Sequence, residues 1–140
     1  MKEPILVEAT YNAPADVVWK AITDRDQMQE WYFDMPAFEP KVGFEFTFKG
    51  ENEGRVYFHL CKIMEVIPGK KLKHTWTYKD YEGVSYVTFE LFPEGNQTRI
   101  RLTHEGIETF PDLPDFKREN FQEGWSMIIG QMLKDYVEKK

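Results

Sequence analysis

The chain predicts a mixed α+β fold, a six-stranded curved antiparallel sheet with helices confined to one face. Three patterns carry that expectation. Stretches of strand-forming or alternating residues recur from Ile5 to Glu105, two short helical patterns interrupt the series after the first, and the last quarter repeats apolar residues at intervals of three and four. At 140 residues the chain has the length of one domain, residues 1–140, able to bury about two-thirds of its unfolded surface.

Ile5 to Tyr11 reads as the first strand and ends at Asn12, Ala13 and Pro14. Proline suits the opening turn of a helix, where its missing N–H would have no partner. In the residues that follow, Ala15, Val18, Ala21 and Ile22 share one helical face while Asp16 and Lys20 lie near the other. A second helix is expected from Asp26, with Gln29 as its capping-box partner and Met28 and Trp31 turned inward.

After a loop with two prolines, Phe44, Phe46 and Phe48 alternate with Glu45, Thr47 and Lys49, the clearest half-buried strand in the chain. Four more strands are expected, from Arg55 to Val66, Lys71 to Tyr78, Val84 to Phe92 and Thr98 to Glu105. The gaps between them are short enough for hairpins, which makes the sheet a meander. From about Leu113 one long helix is expected, with Phe121, Trp125, Ile128, Ile129, Met132, Leu133 and Tyr136 as its apolar stripe.

Composition narrows the function classes. Eighteen Lys and Arg against 24 Asp and Glu give a net charge of −6, which argues against nucleic acid and anionic membrane as partners. The single cysteine, Cys61, cannot form an intrachain disulfide, no leader-like segment precedes Ile5, and no apolar run approaches the roughly 18 residues of a membrane span. A cytoplasmic protein is the resulting expectation. Aromatic residues reach 16%, more than a small core normally needs, so either the core is aromatic-rich or some rings line a pocket.

Simple hairpins would place Trp76 opposite Val87, His74 opposite Phe89 and Leu72 opposite Leu91, and then Leu91 opposite Ile100, Phe89 opposite Leu102 and Val87 opposite His104. These registers match apolar residues on one face. They set the backbones of His74 and His104 roughly 12 Å apart, too far for easy sharing of one metal ion. The parity of His59 is left open. Cys61 has no histidine at a recognisable spacing and no nucleophile elbow is present, so no nucleophile, metal or cofactor is expected; each of His74 and His104 is expected to pack, hydrogen-bond or touch a ligand, with general acid or base work as the alternative. On the outer face Lys71, Lys73, Lys79, Arg99 and Arg101 form a cationic row, with Glu90 expected between Lys73 and Arg101; cross-strand ion pairs are its ordinary explanation, and an acidic partner such as a chaperone its alternative.

Several segments, "NAPADVVWKAITD", "EWY", "KVGFEF", "MEVIPGKKLKHTW", "TRIRLTHEG" and "EGWSMIIGQMLKDYVE", resemble in order and spacing the homologues of the activator of the ninety-kilodalton heat-shock protein ATPase. That family lies within the SRPBCC or START-like superfamily. The resemblance implies a helix-grip fold, a sheet gripping the C-terminal helix, with a cleft that in many relatives holds an apolar small molecule. Phe44 replaces the second glycine of the usual "VGG", and His74 replaces a common apolar residue. The N-terminal module of the eukaryotic co-chaperone has no counterpart in these residues.

The expected function is therefore binding of a small, largely apolar molecule between the sheet and the C-terminal helix. Its expected lining is Trp31, Phe46, His74, Trp76, Phe89, His104, Gly124, Trp125 and Ile128. Gly124 points there because glycine in a helix interior costs about 1 kcal/mol relative to alanine and so makes room for something, a ligand or a close backbone contact. The two alternatives are a co-chaperone-like regulator of a heat-shock ATPase and a cyclase- or hydratase-like enzyme using the same cleft. "TFPDLPDF", with two aspartates able to cap, is expected as a loop at its mouth.

Overall fold

In the computed structural model, which describes residues 3–32, 35–52 and 54–139, six strands form one curved antiparallel sheet in the order β1-β6-β5-β4-β3-β2. The strands are β1 (Ile5–Tyr11), β2 (Glu45–Asn52), β3 (Arg55–Ile67), β4 (Lys71–Tyr78), β5 (Ser85–Glu94) and β6 (Gln97–Glu105). Hairpins join β2 through β6 in succession. β1 completes the far edge by pairing with β6, with Ile5 opposite His104 and Tyr11 opposite Thr98. The predicted alternation is plain on β4, where Leu72, His74, Trp76 and Tyr78 are buried and the residues between them half-buried.

The β5–β6 register is the expected one, closed by a two-residue turn in which Gly95 supplies a φ of +67°. The β4–β5 register differs by two residues: Trp76 lies opposite Ser85, His74 opposite Val87 and Leu72 opposite Phe89. A two-residue shift keeps the same side chains on the inner face, so apolar matching cannot detect it. The cause is a longer connection. The Val84 N–H donates to Thr109 Oγ1 at 2.9 Å, and a Cβ on Gly83 would fall 2.5 Å from the Thr109 carbonyl oxygen, so this turn is pinned against the segment after β6.

Two helices follow β1. In α1 (Ala15–Thr23) the buried residues include Val18, Ala21 and Ile22. The second, α2 (Arg25–Trp31), starts before the predicted Asp26: Asp24 is the cap, its carboxylate accepting the Asp26 N–H at 3.2 Å. Asp24 has an extended backbone and ends α1 as well, so one residue serves both helix termini. Met28 and Trp31 are buried as expected, and the Trp31 indole N–H donates to the Ala21 carbonyl at 2.9 Å, tying α2 back to α1.

The last helix starts later than Leu113. Leu113 precedes a proline, which disfavours helical backbone there, and Pro114–Phe116 makes a separate 3-10 turn before α3 (Arg118–Met127). Neither aspartate of the preceding stretch caps α3, which has no side-chain cap. A π-helical turn, Ile128–Met132, then leads into α4 (Leu133–Glu138), with the Leu133 N–H reaching the Ile128 carbonyl five residues back.

That wider turn explains the burial pattern. Phe121, Trp125, Ile129, Leu133 and Val137 are buried at a strict interval of four. In an uninterrupted α-helix four such steps would drift about 160° around the axis, and a turn holding more residues winds the stripe back onto the sheet. Met132, expected inside, is 37% exposed, while Ile128 and Tyr136 are half-buried. The wholly buried Tyr11 hydroxyl donates to the Ile129 carbonyl inside the π turn and joins β1 to the helix.

On the outer face Glu8 accepts from Arg99 at 2.8 Å and Arg101 at 2.9 Å, and Lys71 meets Glu65 at 3.1 Å. Glu90 stands opposite Lys71 and Arg101, not between Lys73 and Arg101, which follows from the β4–β5 shift. Lys73 and Lys79 lie over the rings of Tyr86 and Phe58. The cationic row is thus engaged within the chain.

Candidate functional site

A recess of about 260 Å³ lies between the β2–β4 end of the sheet and α3. Gly50 and Glu51 border it from β2, Tyr57 and His59 from β3, and Trp76 and Tyr78 from β4. Asp115 and Phe116 of the 3-10 turn close one side, and Asn120, Phe121, Gly124, Trp125 and Ile128 supply the helical wall.

The β3 side chains reach the recess because of a bulge. Ile67 pairs with Lys71 and Glu65 with Lys73, but Ile63, not Met64, stands opposite His74. The extra residue reverses the parity of everything before it. Met64 is therefore 47% exposed, and Ile63, Cys61 and His59 turn inward. His59 stacks on Phe48 with ring centroids 4.3 Å apart and meets the Trp76 ring edge-on at 4.8 Å. A Cβ at position 50 would fall 2.6 Å from His59 Cε1, so the ring takes the space that glycine leaves. Burial pushes the His59 pKa down to about 4, leaving its ring neutral at neutral pH.

A clasp holds the mouth. The Asp115 carboxylate, only 9% exposed, accepts from Arg55 Nε at 2.6 Å and Nη2 at 2.8 Å, and the Tyr57 hydroxyl donates to it as well. Burial first, and then the neighbouring Asp115 carboxylate, raise the Tyr57 phenol above its ordinary pKa. Asn120 Nδ2 donates to the Pro114 carbonyl at 2.6 Å and fixes the turn to α3. A Cβ on Gly124 would meet nothing within 4 Å, so this glycine makes no close contact with the sheet and leaves space beside the recess.

Of the residues expected to line the cleft, Trp76, Gly124, Trp125 and Ile128 border this recess. Trp31, Phe46, His74, Phe89 and His104 do not. Trp31 stacks on Tyr32 at 4.8 Å, Phe46 lies between Phe38 and His74, each 5.0 Å away, and Phe89 lies 6.1 Å from Trp125. His74 Nδ1 bonds to the Thr75 carbonyl at 2.7 Å, and because a carbonyl only accepts, that nitrogen carries the proton.

His104 joins the helix to the sheet. The Trp125 indole N–H can only donate, so His104 Nδ1 accepts it at 2.9 Å. The proton then sits on Nε2, which donates to Ser85 Oγ at 2.8 Å, and Ser85 passes its own hydrogen to the Trp76 carbonyl at 2.7 Å. Burial lowers the pKa of His74 to about 4 and that of His104 to about 3. Both histidines stand level with Val87, so their backbones are about 10 Å apart rather than 12. Among the described residues no group of three or more His, Cys, Asp or Glu converges as metal ligands would. Burial raises the Cys61 thiol well above its ordinary pKa, the opposite of an activated nucleophile.

Sequence reasoning did not place Gly50, Glu51, Tyr57, His59, Tyr78, Asn120 and Phe121 at the site, whereas the "TFPDLPDF" loop expected at its mouth contains Asp115 and Phe116, which border the recess. The bulge concealed Tyr57 and His59.

A curved antiparallel sheet gripping a C-terminal helix, with an aromatic recess at one end, defines a helix-grip domain of the SRPBCC type. The family model described as "Activator of Hsp90 ATPase homolog 1-like protein" matches residues 12–138, and the chain belongs to that family. Protein CV1439 from Chromobacterium violaceum is similar at a TM-score of 0.82 and 21% identity, over 99% of each chain. The solution structure of BH1534 from Bacillus halodurans is similar at 0.77 and 23%, over 98% of each chain. DynU16, a protein of the dynemicin biosynthetic locus, is similar at 0.79 and 21%; it covers 99% of this chain, which spans 48% of DynU16. No curated protein sequence matches the chain. No described helix is long and apolar enough to cross a membrane.

Proposed function

We propose that the protein binds a small, largely apolar molecule in the recess between the sheet and α3. One observation carries this reading: the exposed Gly124 borders an aromatic-lined recess, and a Cβ there would meet nothing within 4 Å although alanine would favour the helix. Trp76, Trp125, Phe116 and Phe121 offer apolar area, and Tyr57, His59 and Asn120 offer polar atoms that can orient a guest. A protein such as DynU16, from a biosynthetic locus, is consistent with small-molecule binding on this fold. The ion-paired outer face gives no comparable support to a chaperone contact, and the neutral buried histidines and raised thiol give none to an enzyme.

The test uses 2-naphthalenemethanol, an uncharged aromatic probe, in calorimetric titrations. Gly124→Leu should fill the recess and weaken binding about ten-fold or more while leaving thermal stability within a few degrees. Failure of the probe to bind, or equal affinity in the folded variant, would refute the proposal.

A further inference from the structure

We infer that β2 is an interface between two copies of this chain, pairing with itself antiparallel about Thr47 so that the two sheets become one. Phe58 and Leu60 of β3 turn their carbonyls to β4, accepting the Lys79 N–H at 2.9 Å and Thr77 Oγ1 at 2.6 Å. The intervening Tyr57, His59 and Cys61 therefore hold the ladder to β2, opposite Gly50, Phe48 and Phe46. Glu45, Thr47 and Lys49 point their N–H and C=O groups away from the sheet, and no partner to these groups lies among the described residues. The opposite edge is different: β1 is tied to the C-terminal helix by Tyr11 to Ile129 and, just before the strand, by Arg118 to the Glu3 and Pro4 carbonyls.

The side chains select a second copy as the occupant. Charged residues along an open edge normally keep other strands away, because few partners match them. Glu45, Thr47 and Lys49 are exposed, and neither Glu45 nor Lys49 joins an ion pair among the described residues, although Lys62 stands opposite Glu45 on β3. Glu8, Glu65 and Glu90 on the same outer face are matched within the chain. A two-fold axis at Thr47 sets Glu45 opposite Lys49 of the second copy and Lys49 opposite its Glu45, with the two threonines facing each other. These are the positions whose backbone groups point outward, so each exchanges two hydrogen bonds with its opposite. An axis at Glu45 or Lys49 would bring like charges face to face, one at Phe48 would set Glu45 opposite Glu51, and one at Phe46 would leave both charges unmatched. Charge therefore fixes the register at Thr47.

Sedimentation equilibrium on the whole chain at low salt, over about 10–500 μM, should show a monomer–dimer equilibrium that weakens as salt is raised. Glu45→Lys and Lys49→Glu, both at exposed positions, should each fold and each weaken the dimer about ten-fold or more, since every substitution acts at two symmetry-related pairs. Mixing the two variants should restore association as a heterodimer, and the double variant Glu45→Lys/Lys49→Glu should dimerise as the parent does. Hydrogen exchange at the Thr47 and Lys49 amides should slow as the parent concentration rises. A parent that stays monomeric throughout the range, single variants that dimerise as well as the parent, a mixture that stays monomeric, or exchange at those amides that ignores concentration would each overturn the inference.

Discussion

Lowering the pH should unfold this protein earlier than its carboxylates would dictate. All three histidines are buried, with pKa values of about 4, 4 and 3 for His59, His74 and His104 against 6.5 for an unperturbed imidazole. Below pH 6.5 the unfolded chain takes up protons that the folded chain refuses, so stability is complete above that value and falls as the pH drops towards 4. At pH 5.5 each histidine removes about 1.4 kcal/mol and the three together about 4 kcal/mol, a large part of the roughly 5–15 kcal/mol typical of a domain. Glu8, held by Arg101, and Glu138, which accepts the Asn12 N–H, titrate below the ordinary range. Tyr78 and Cys61, beside the histidine cluster, are kept neutral by burial. Urea unfolding at pH 8 and at pH 5.5 measures the difference directly. His74→Phe, whose ring would remain among Phe46, Trp76 and Phe89, should reduce the pH dependence by about a third. A loss below about 1 kcal/mol in the parent protein would refute the reasoning.

Gly50→Ala should destabilise by about 1–3 kcal/mol in urea unfolding, because the new Cβ meets the His59 ring at 2.6 Å within a packed aromatic cluster. Tyr11→Phe should cost a similar amount, about 1–3 kcal/mol in the same assay, by leaving the buried Ile129 carbonyl without the Tyr11 hydroxyl. Asp115→Asn weakens a bidentate charged pair, so hydrogen exchange should quicken across residues 107–117 while the centres of β5 and β6 keep their protection.

The architecture was legible because its signals were local. Phe44, Phe46 and Phe48 alternate without interruption, and the two-residue turn after Glu94 set the β5–β6 register through to Val87 and His104. The site was less legible because it depends on irregularities. β3 carries apolar residues on both parities, among them Tyr57, Phe58, Leu60, Cys61, Ile63 and Met64, so alternation could not reveal a bulge at Met64, and the bulge decides whether His59 faces the interior. His74 and His104 looked like cleft residues because polar side chains in an apolar row suggest a guest. Their partners, the Thr75 carbonyl in one case and Ser85 with Trp125 in the other, depend on strand pairing and helix docking. The π turn likewise left its trace in the four-residue spacing through Val137, which a stripe drawn at three and four obscured.

The bond from Tyr11 to Ile129 spans 118 positions of the chain. During synthesis the first strand must wait for the last helix before its phenol finds that acceptor. Until then the inner faces of the hairpin strands, Trp76 and Phe89 among them, lack the cover of Trp125. The nascent chain thus carries an aromatic surface that only its C-terminal segment can conceal, and a product stalled before residue 129 would present that surface to quality control.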